Sequence, residues 1–213
     1  MAPDDEGRYR GDWELETASG NRFGIGSDAD GTFFVLIEVI KPDQYAYDFG
    51  VNYCAAAWSS NSGRLECLGR SGNPEGFVQL LDRPVIEIDR QENERALWTQ
   101  PQDEENGWIS GVYPEIEVHK EYYFMAVVGC LDDASKCDVI FRLAYRVAGE
   151  GLEGLLWETH EVYDDAFTRV YVDLNNLKGK RVQFTLSVMA NGSPRDDRAF
   201  WLVPRIVDVS DIE

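Results

Sequence analysis

Short apolar segments that alternate with polar residues, and that end in turn-forming clusters, constrain the fold of this chain most strongly. A period of two places successive side chains on opposite faces of a β-strand. The pattern predicts strands, rich in β-branched and aromatic residues, at 33–40, 46–51, 77–81, 122–129, 138–147, 169–172, 181–189 and 200–207. Helical periodicity is scarce, so the segments indicate an all-β protein.

Turn chemistry lies between these segments. Glycine, asparagine, aspartate and proline cluster at 27–31, 178–179 and 191–194, where strands must reverse. About ten strands in a chain of 213 residues predict a two-sheet antiparallel β-sandwich of the jelly-roll type. The apolar content is sufficient for one large core.

Four cysteines are present, an even number that allows three connectivities. Cys54 lies near Cys67, and Cys130 and Cys137 flank a turn-rich segment between two predicted strands. No C-x-x-C spacing suggests zinc, and pairing of nearest neighbours closes two short loops. Disulfides would place the protein in an oxidising compartment, so we expect it to be secreted or at the cell surface. Four reduced thiols in a cytosolic protein are the alternative.

The acidic balance of the chain excludes several classes of partner. Lys and Arg number 20 against 39 Asp and Glu, which gives a formal net charge of −19. Such a charge repels phosphate backbones and anionic lipids, so we expect neither nucleic-acid binding nor attachment to a membrane surface. Membrane insertion is not expected either, because no run approaches the roughly 20 apolar residues of a membrane helix.

The motifs of catalysis are missing. The chain has two histidines, His119 and His160, and they share no metal-binding spacing. No nucleophile elbow, P-loop or dinucleotide-binding motif occurs. Carboxylate pairs remain, of which Glu158 with Glu161 and Asp196 with Asp197 are the most suggestive, but 39 acids make such pairs uninformative. We therefore expect no enzyme, and a glycosidase is the least favoured interpretation.

Calcium is the one cofactor that the sequence suggests, as a structural ion. Asp28 and Asp30 precede Gly31 in a predicted turn, and carboxylate oxygens are ligands of Ca²⁺. The downstream glutamate of an EF-hand is missing, so an ordinary polar turn is the favoured interpretation.

Tryptophan is frequent, with six residues in the chain. Aromatic faces stack on the C–H-rich faces of sugars, beside polar groups that fix orientation, although sandwiches also bury tryptophan in their cores. Trp58 and Trp108 stand in polar, loop-like surroundings and are the candidates for a binding surface. We expect most of the others to be structural.

The C-terminal half contains a series of segments that resembles a known family. The segments 111–118, 123–129, 138–143 and 182–193 lead into Asp197-Arg-Ala-Phe-Trp201 and then Pro204-Arg-Ile206. Over residues 107–206 the chain is similar to the NPCBM type of carbohydrate-binding module, a galactose-binding-like β-sandwich attached to secreted glycosidases. The resemblance implies a sandwich fold and carbohydrate binding.

In that family the last stretch reads Asp-His-Ala-Asp-Trp, and its polar side chains help to hold the sugar. Asp197 and Trp201 match, whereas Arg198 stands in place of the histidine and Phe200 in place of the second aspartate. Arg198 retains donors for hydroxyls, but Phe200 has no polar group. The resemblance therefore implies a ligand site at Asp197, Arg198 and Trp201, with two contacts altered.

The upstream part also resembles known proteins. Residues 47–49, 52–60 and 76–78 look like the leading part of a longer module of secreted bacterial proteins with no assigned role. This likeness extends the predicted sandwich domain to residues 32–213. Residues 1–31 are polar, acidic and rich in glycine, so we expect an N-terminal arm with an edge strand at 13–17.

Two functions are compatible with these features. The favoured one is a noncatalytic extracellular module that binds a glycan or another cell-surface polymer. The alternative is a structural protein of the cell surface that self-associates, because strand 33–40 or the N-terminal arm pairs with a neighbour's sheet.

Overall fold

The structure is a computed structural model of the chain and describes residues 7–25, 31–39, 45–67, 69–87 and 89–210. The chain forms two compact units, of which the first ends at Gln44 and the second begins at Tyr45. We number the strands β1 to β19 in chain order and describe each unit by itself.

The first unit consists of two antiparallel ribbons. Its strands are β1 (Gly7–Trp13), β2 (Leu15–Glu16), β3 (Arg22–Phe23) and β4 (Phe33–Val39). β1 pairs with β4, and β2 pairs with β3. One edge of β4, the strand predicted to pair with another molecule, is thus paired with β1 of the same chain. Self-association stays a prediction.

The division between the units lies later than the expected boundary at residue 31. The reason is that β4 pairs with β1 and so belongs to the first unit. How the chain divides into domains stays a prediction.

The second unit contains two large antiparallel sheets. The six-stranded sheet has the order β17-β14-β19-β11-β8, with β5 also paired to β19. Its strands are β5 (Tyr45–Asp48), β8 (Phe77–Leu81), β11 (Ala96–Gln100), β14 (Tyr122–Cys130), β17 (Thr168–Asp173) and β19 (Ala199–Asp208).

The seven-stranded sheet has the order β16-β15-β18-β12-β6-β7, with β13 also paired to β18. Its strands are β6 (Ala57–Ser60), β7 (Gly63–Arg64), β12 (Trp108–Val112), β13 (Ile116–Glu117), β15 (Asp138–Val147), β16 (Glu153–Val162) and β18 (Arg181–Ala190). A small ribbon of β9 (Val85–Ile86) and β10 (Arg90–Gln91), and 3-10 turns at Tyr53–Ala55 and Asn175–Leu177, complete the described elements.

The two sheets pack face to face around one apolar core, so the predicted antiparallel β-sandwich is confirmed. Phe124 and Trp201 from the six-stranded sheet and Phe141 and Leu186 from the seven-stranded sheet belong to the same buried cluster. The rings of Phe141 and Trp201 meet edge to face, with centroids 5.1 Å apart. Alternation along the strands produces this arrangement, since every second side chain points into the core.

Both predicted disulfides are present, between Cys54 and Cys67 and between Cys130 and Cys137. The second bridge closes the turn between β14 and β15, strands that belong to opposite sheets. It therefore ties the two layers together at one end of the sandwich.

A smaller apolar cluster lies on the outer face of the six-stranded sheet. Ile86 and Leu131, which form an isolated β-bridge, pack there with Phe200 and Leu202. Phe200 and Trp201 therefore face opposite sides of β19, one in each cluster.

The sequence located some strands to the residue and missed others. Segments 77–81 and 138–147 match β8 and β15, whereas β6, β11, β12 and β16 were not predicted. The missed strands are short, or carry polar residues on their outer face, which weakens the apolar pattern. Within the described residues, no helix is long and apolar enough to pass through a bilayer.

Trp58 fixes one contact inside the seven-stranded sheet. It lies opposite Gly111 in the antiparallel pair of β6 and β12 and is 1% exposed. Its Nε1–H donates to the carbonyl of Tyr53 at 2.7 Å. A Cβ at Gly111 would lie 2.7 Å from the indole ring, so position 111 must remain without a side chain.

We predict that Gly111→Ala destabilises the protein by about 1 to 3 kcal/mol, because the added methyl displaces the buried Trp58 ring. Urea unfolding followed by tryptophan fluorescence measures the change. Gly151→Ala is the matched control, since no atom lies within 4 Å of a Cβ at that position. Equal stabilities of the two variants would contradict the prediction.

Candidate functional site

A row of polar side chains crosses the outer face of the seven-stranded sheet. Ser110 on β12 lies opposite Ser187 on β18, Ser187 lies opposite Arg142 on β15, and Arg142 lies opposite Glu158 on β16. We call these four residues the polar row. The hydroxyl oxygens of Ser110 and Ser187 are 3.4 Å apart, and the Nε–H of Arg142 donates to Glu158.

Apolar side chains flank the polar row on both sides. Trp108, Met189 and Ile140 lie opposite one another two residues away along the strands, and Ala144 and Leu155 form a pair on the other side. Together these residues line a cleft of about 500 Å³, the outer-face cleft, with Glu153 and Gly154 at its end. All of its lining residues belong to β12, β15, β16 and β18.

Trp108 is the aromatic residue of this cleft, as the sequence predicted for a surface tryptophan. It is half-buried at the start of β12, where its neighbour Ile109 is fully buried in the core. The alternation of Trp108 and Ser110 with Ile109 and Gly111 therefore presents an indole and a hydroxyl on the same outer face.

Two ion pairs connect the cleft's floor to its edge strand. Arg142 contacts Glu158, and Arg146 Nη2 lies 3.4 Å from Glu153 Oε2. In both pairs an arginine of β15 meets a glutamate of β16, so the cleft contains charged groups but no large excess of either sign. Guanidinium and carboxylate groups hydrogen-bond readily to sugar hydroxyls.

A polar cluster adjoins the Trp108 side of the cleft. Asp138 Oδ1 lies 2.6 Å from His160 Nε2 and accepts a hydrogen bond from Asn191 Nδ2 at 3.0 Å. His160 lies opposite Ile140, in the same row as Trp108. These three side chains are solvent-accessible and lie within reach of a ligand that extends past Ile140.

Asp197 lies behind this cluster and is fully buried, so it is not on a ligand surface. Its Oδ1 accepts the backbone N–H of Asp138 at 3.0 Å, whereas Oδ2 has no partner in the described part of the chain. Burial, followed by the nearby charges of Asp138 and Asp196, raises the pKa of Asp197 to about 7. The hydrogen bond to the backbone of Asp138 supports the polar cluster from below the surface.

Two of the tryptophans predicted to contact a ligand are also core residues. Trp201 is 0% exposed between the sheets and contacts the rings of Phe141 and Trp157, and Trp58 is buried against Gly111. The expected surface position of Trp58 is wrong. Its segment is not a loop, because Ala57–Ser60 form strand β6, in which Ser59 faces outward and Trp58 faces the core. Neither indole has a free face for a sugar.

Arg198 lies in a different place, the loop-end cleft. This cleft of about 380 Å³ is formed by loops at 71–74, 101–103 and 194–198 together with Phe77 and Trp98. The Trp98 ring is half-buried and packs edge to face on Phe77 at 4.7 Å. Trp98 was not among the predicted site residues, although its alternation with Leu97 and Thr99 indicates an outward position.

The structure therefore separates the five predicted ligand residues. Trp108 lies in the outer-face cleft and Arg198 in the loop-end cleft, while Asp197, Trp201 and Trp58 are buried. The sequence missed Ser110, Ser187 and Arg142, because their common row depends on the pairing of three strands that are distant in sequence.

Glu158 and Glu161, one of the suggested carboxylate pairs, lie in different surroundings. Glu158 points outward beside Arg142, whereas Glu161 lies opposite the buried Val139 and is itself buried. The two glutamates are thus on opposite faces of β16. Burial raises the pKa of Glu161, and hydrogen bonds from Thr168 and Thr159 partly offset this effect.

The calcium prediction remains without a structural test. Asp28 and Asp30 lie outside the described residues. Elsewhere, over the ranges that the structure describes, no three His, Cys, Asp or Glu side chains are grouped so as to hold a metal ion.

Comparisons with known proteins give similar solved structures only. No family model matches the sequence, and no curated protein matches it. One similar structure comes from work on carbohydrate-binding modules of the β-sandwich superfamily; it has 11% identity and a TM-score of 0.46 over 94% of this chain and 74% of the other.

Two further similar structures contain family 51 modules of Clostridium perfringens. One, from ZmpB, was solved with GlcNAc and has 16% identity and a TM-score of 0.45; this chain covers only 39% of it. The other was solved with methyl-galactose and has 16% identity and a TM-score of 0.43, with 67% of this chain and 94% of that chain covered. Each of these three structures contains a carbohydrate-binding module.

We predict that Asp197→Asn gains stability relative to the wild type as pH rises. The folded-state pKa of about 7 exceeds the ordinary value of 3.8, so the contribution of Asp197 to the free energy of unfolding is largest below pH 4. Between pH 4 and pH 7 this contribution falls by about 1.4 kcal/mol per pH unit. Asparagine keeps the oxygen that accepts the Asp138 N–H but carries no proton to lose.

Urea unfolding of both proteins at pH 5 and pH 8 measures this difference. Comparison of the two proteins at each pH cancels the contributions of the other acidic groups. A difference in unfolding free energy that stays the same at both pH values would show that Asp197 does not titrate as its burial requires.

Proposed function

We propose that this chain is a noncatalytic, extracellular carbohydrate-binding module whose ligand lies in the outer-face cleft. The observation that carries the proposal is the half-buried Trp108 ring beside a row of hydroxyl, guanidinium and carboxylate groups. This is the combination that a sugar requires, because pyranose rings have apolar C–H faces and hydroxyls along their edges.

The polar row offers hydrogen bonds of both kinds. Ser110 and Ser187 each donate and accept, Arg142 donates, and Glu158 accepts. A sugar hydroxyl is itself both donor and acceptor, so it pairs with any of these groups. Trp108, Met189 and Ile140 supply the apolar surface on which the ring face rests.

Rigidity of the cleft also supports a binding role. Its lining residues all stand on four hydrogen-bonded strands, so little conformational entropy is lost when a ligand binds. The volume of about 500 Å³ lies in the usual range of roughly 300 to 1,000 Å³ for small-ligand sites.

A noncatalytic role is supported by the carboxylates of the cleft. Glu153 and Glu158 are each paired with an arginine of β15, whereas hydrolysis of a glycoside requires two carboxyl groups that are free to act on the scissile bond.

The two disulfides support an extracellular location, and the net charge supports a neutral ligand. Two disulfides are typical of proteins from oxidising compartments. The net charge of −19 disfavours nucleic acids and anionic lipids and leaves neutral glycans as suitable partners.

We predict that Trp108→Ala weakens glycan binding by about 30-fold, since truncation of a central aromatic residue costs about 2 kcal/mol. A glycan array identifies the ligand, and titration calorimetry then compares the variant with the wild type. Trp98→Ala is the matched control, because Trp98 is a half-buried indole in the loop-end cleft.

The two variants separate the possible outcomes. Loss of binding in Trp98→Ala with full binding in Trp108→Ala would move the ligand to the loop-end cleft beside Arg198. No binding of the wild-type protein to any glycan would refute the proposed function.

A further inference from the structure

The polar row does not stop at the boundary of the outer-face cleft. Ser59 on β6 lies opposite Ser110, and Arg64 on β7 lies opposite Ser59. The extended polar row thus crosses six hydrogen-bonded strands and consists of Arg64, Ser59, Ser110, Ser187, Arg142 and Glu158.

Ser59 and Arg64 face the same side of the sheet as the cleft. Trp58 and Ser60, the neighbours of Ser59, are buried in the interior, whereas Ser59 is half-exposed and Arg64 is exposed. Five interstrand spacings of about 4.8 Å each give the row a length of about 24 Å. That length exceeds what a single sugar ring covers.

Apolar positions accompany the row on the side away from Trp108. Ala57 lies opposite Val112, and Ala144 lies opposite Leu155. Polar groups in a line, with apolar surface on either side, match a linear polymer whose hydroxyls recur at regular intervals. A ligand with one polar end would use only part of such a row.

The charges of the row and of the whole chain favour a neutral polymer. Within the row, Arg142 is paired with Glu158 of β16, so its charge is partly neutralised before any ligand arrives. The net charge of −19 repels polyanions such as uronic-acid chains.

We propose that the outer face binds an internal stretch of a linear, neutral polysaccharide that lies across the strands. Trp108 and the cleft hold about three sugar units, and Ser59 and Arg64 hold the units that follow. This inference rests on the proposed function and assigns β6 and β7 to the binding site, beyond the cleft itself.

Titration calorimetry with neutral cello-, xylo- and galacto-oligosaccharides of one to six units tests the inference. For the series that binds, affinity should rise about tenfold from one to three units, and about fivefold more from three to five. Arg64→Ala should abolish the second rise and leave the affinity for three units within about twofold of the wild type. Arg83→Ala, which removes an exposed arginine beyond β8 on the other sheet, should change neither.

Three results would overturn the inference while leaving the proposed function intact. One is binding that requires Trp108 but saturates at a single sugar unit. Another is equal weakening of short and long ligands by Arg64→Ala. The third, tighter binding of oligogalacturonides than of neutral chains, would refute the neutral class. If the wild-type protein binds no glycan, the proposed function is refuted instead. The same holds if Trp108→Ala leaves the affinity unchanged.

Discussion

Edge-to-face packing of aromatic rings between the two sheets is the interaction on which the rest of the second unit depends. Phe49 meets Tyr113 at 4.7 Å, and Trp201 meets Phe141 at 5.1 Å. Such contacts add to the burial of large apolar areas and fix the spacing of the layers. Because the indoles of Trp58 and Trp201 are used here, they are unavailable to a ligand.

The burial of residues on the inner face of the seven-stranded sheet determines which residues lie on its outer face. A strand whose alternate residues fill the core must turn the others to solvent, so burial of Ile109, Val188 and Phe141 directs Trp108, Ser187 and Arg142 outward. Antiparallel register then aligns these outward residues into rows. The proposed glycan site is therefore built from side chains whose backbone positions are already fixed by the core.

The residues around Asp197 do not occupy the positions that the sequence resemblance implied. The resemblance to the NPCBM pattern implied that the polar side chains of this stretch hold a sugar, whereas Asp197 accepts the backbone N–H of Asp138 and Trp201 fills the core. Phe200, in place of a polar residue, packs into the outer apolar cluster. Recognition thus moves in our proposal from the loops to the sheet face, where Trp108 and the polar row meet.

The sequence by itself predicted the fold class and favoured the disulfide pairings that the structure contains, because alternation, turn residues and cysteine spacing are local properties. It did not determine that Ser59, Ser110, Ser187 and Arg142 lie in one line, or that Trp58 is buried. Those facts depend on which strands become neighbours and in what register. Pairing between segments far apart in the chain is set by the collective packing of the core, and only the tertiary structure decides it.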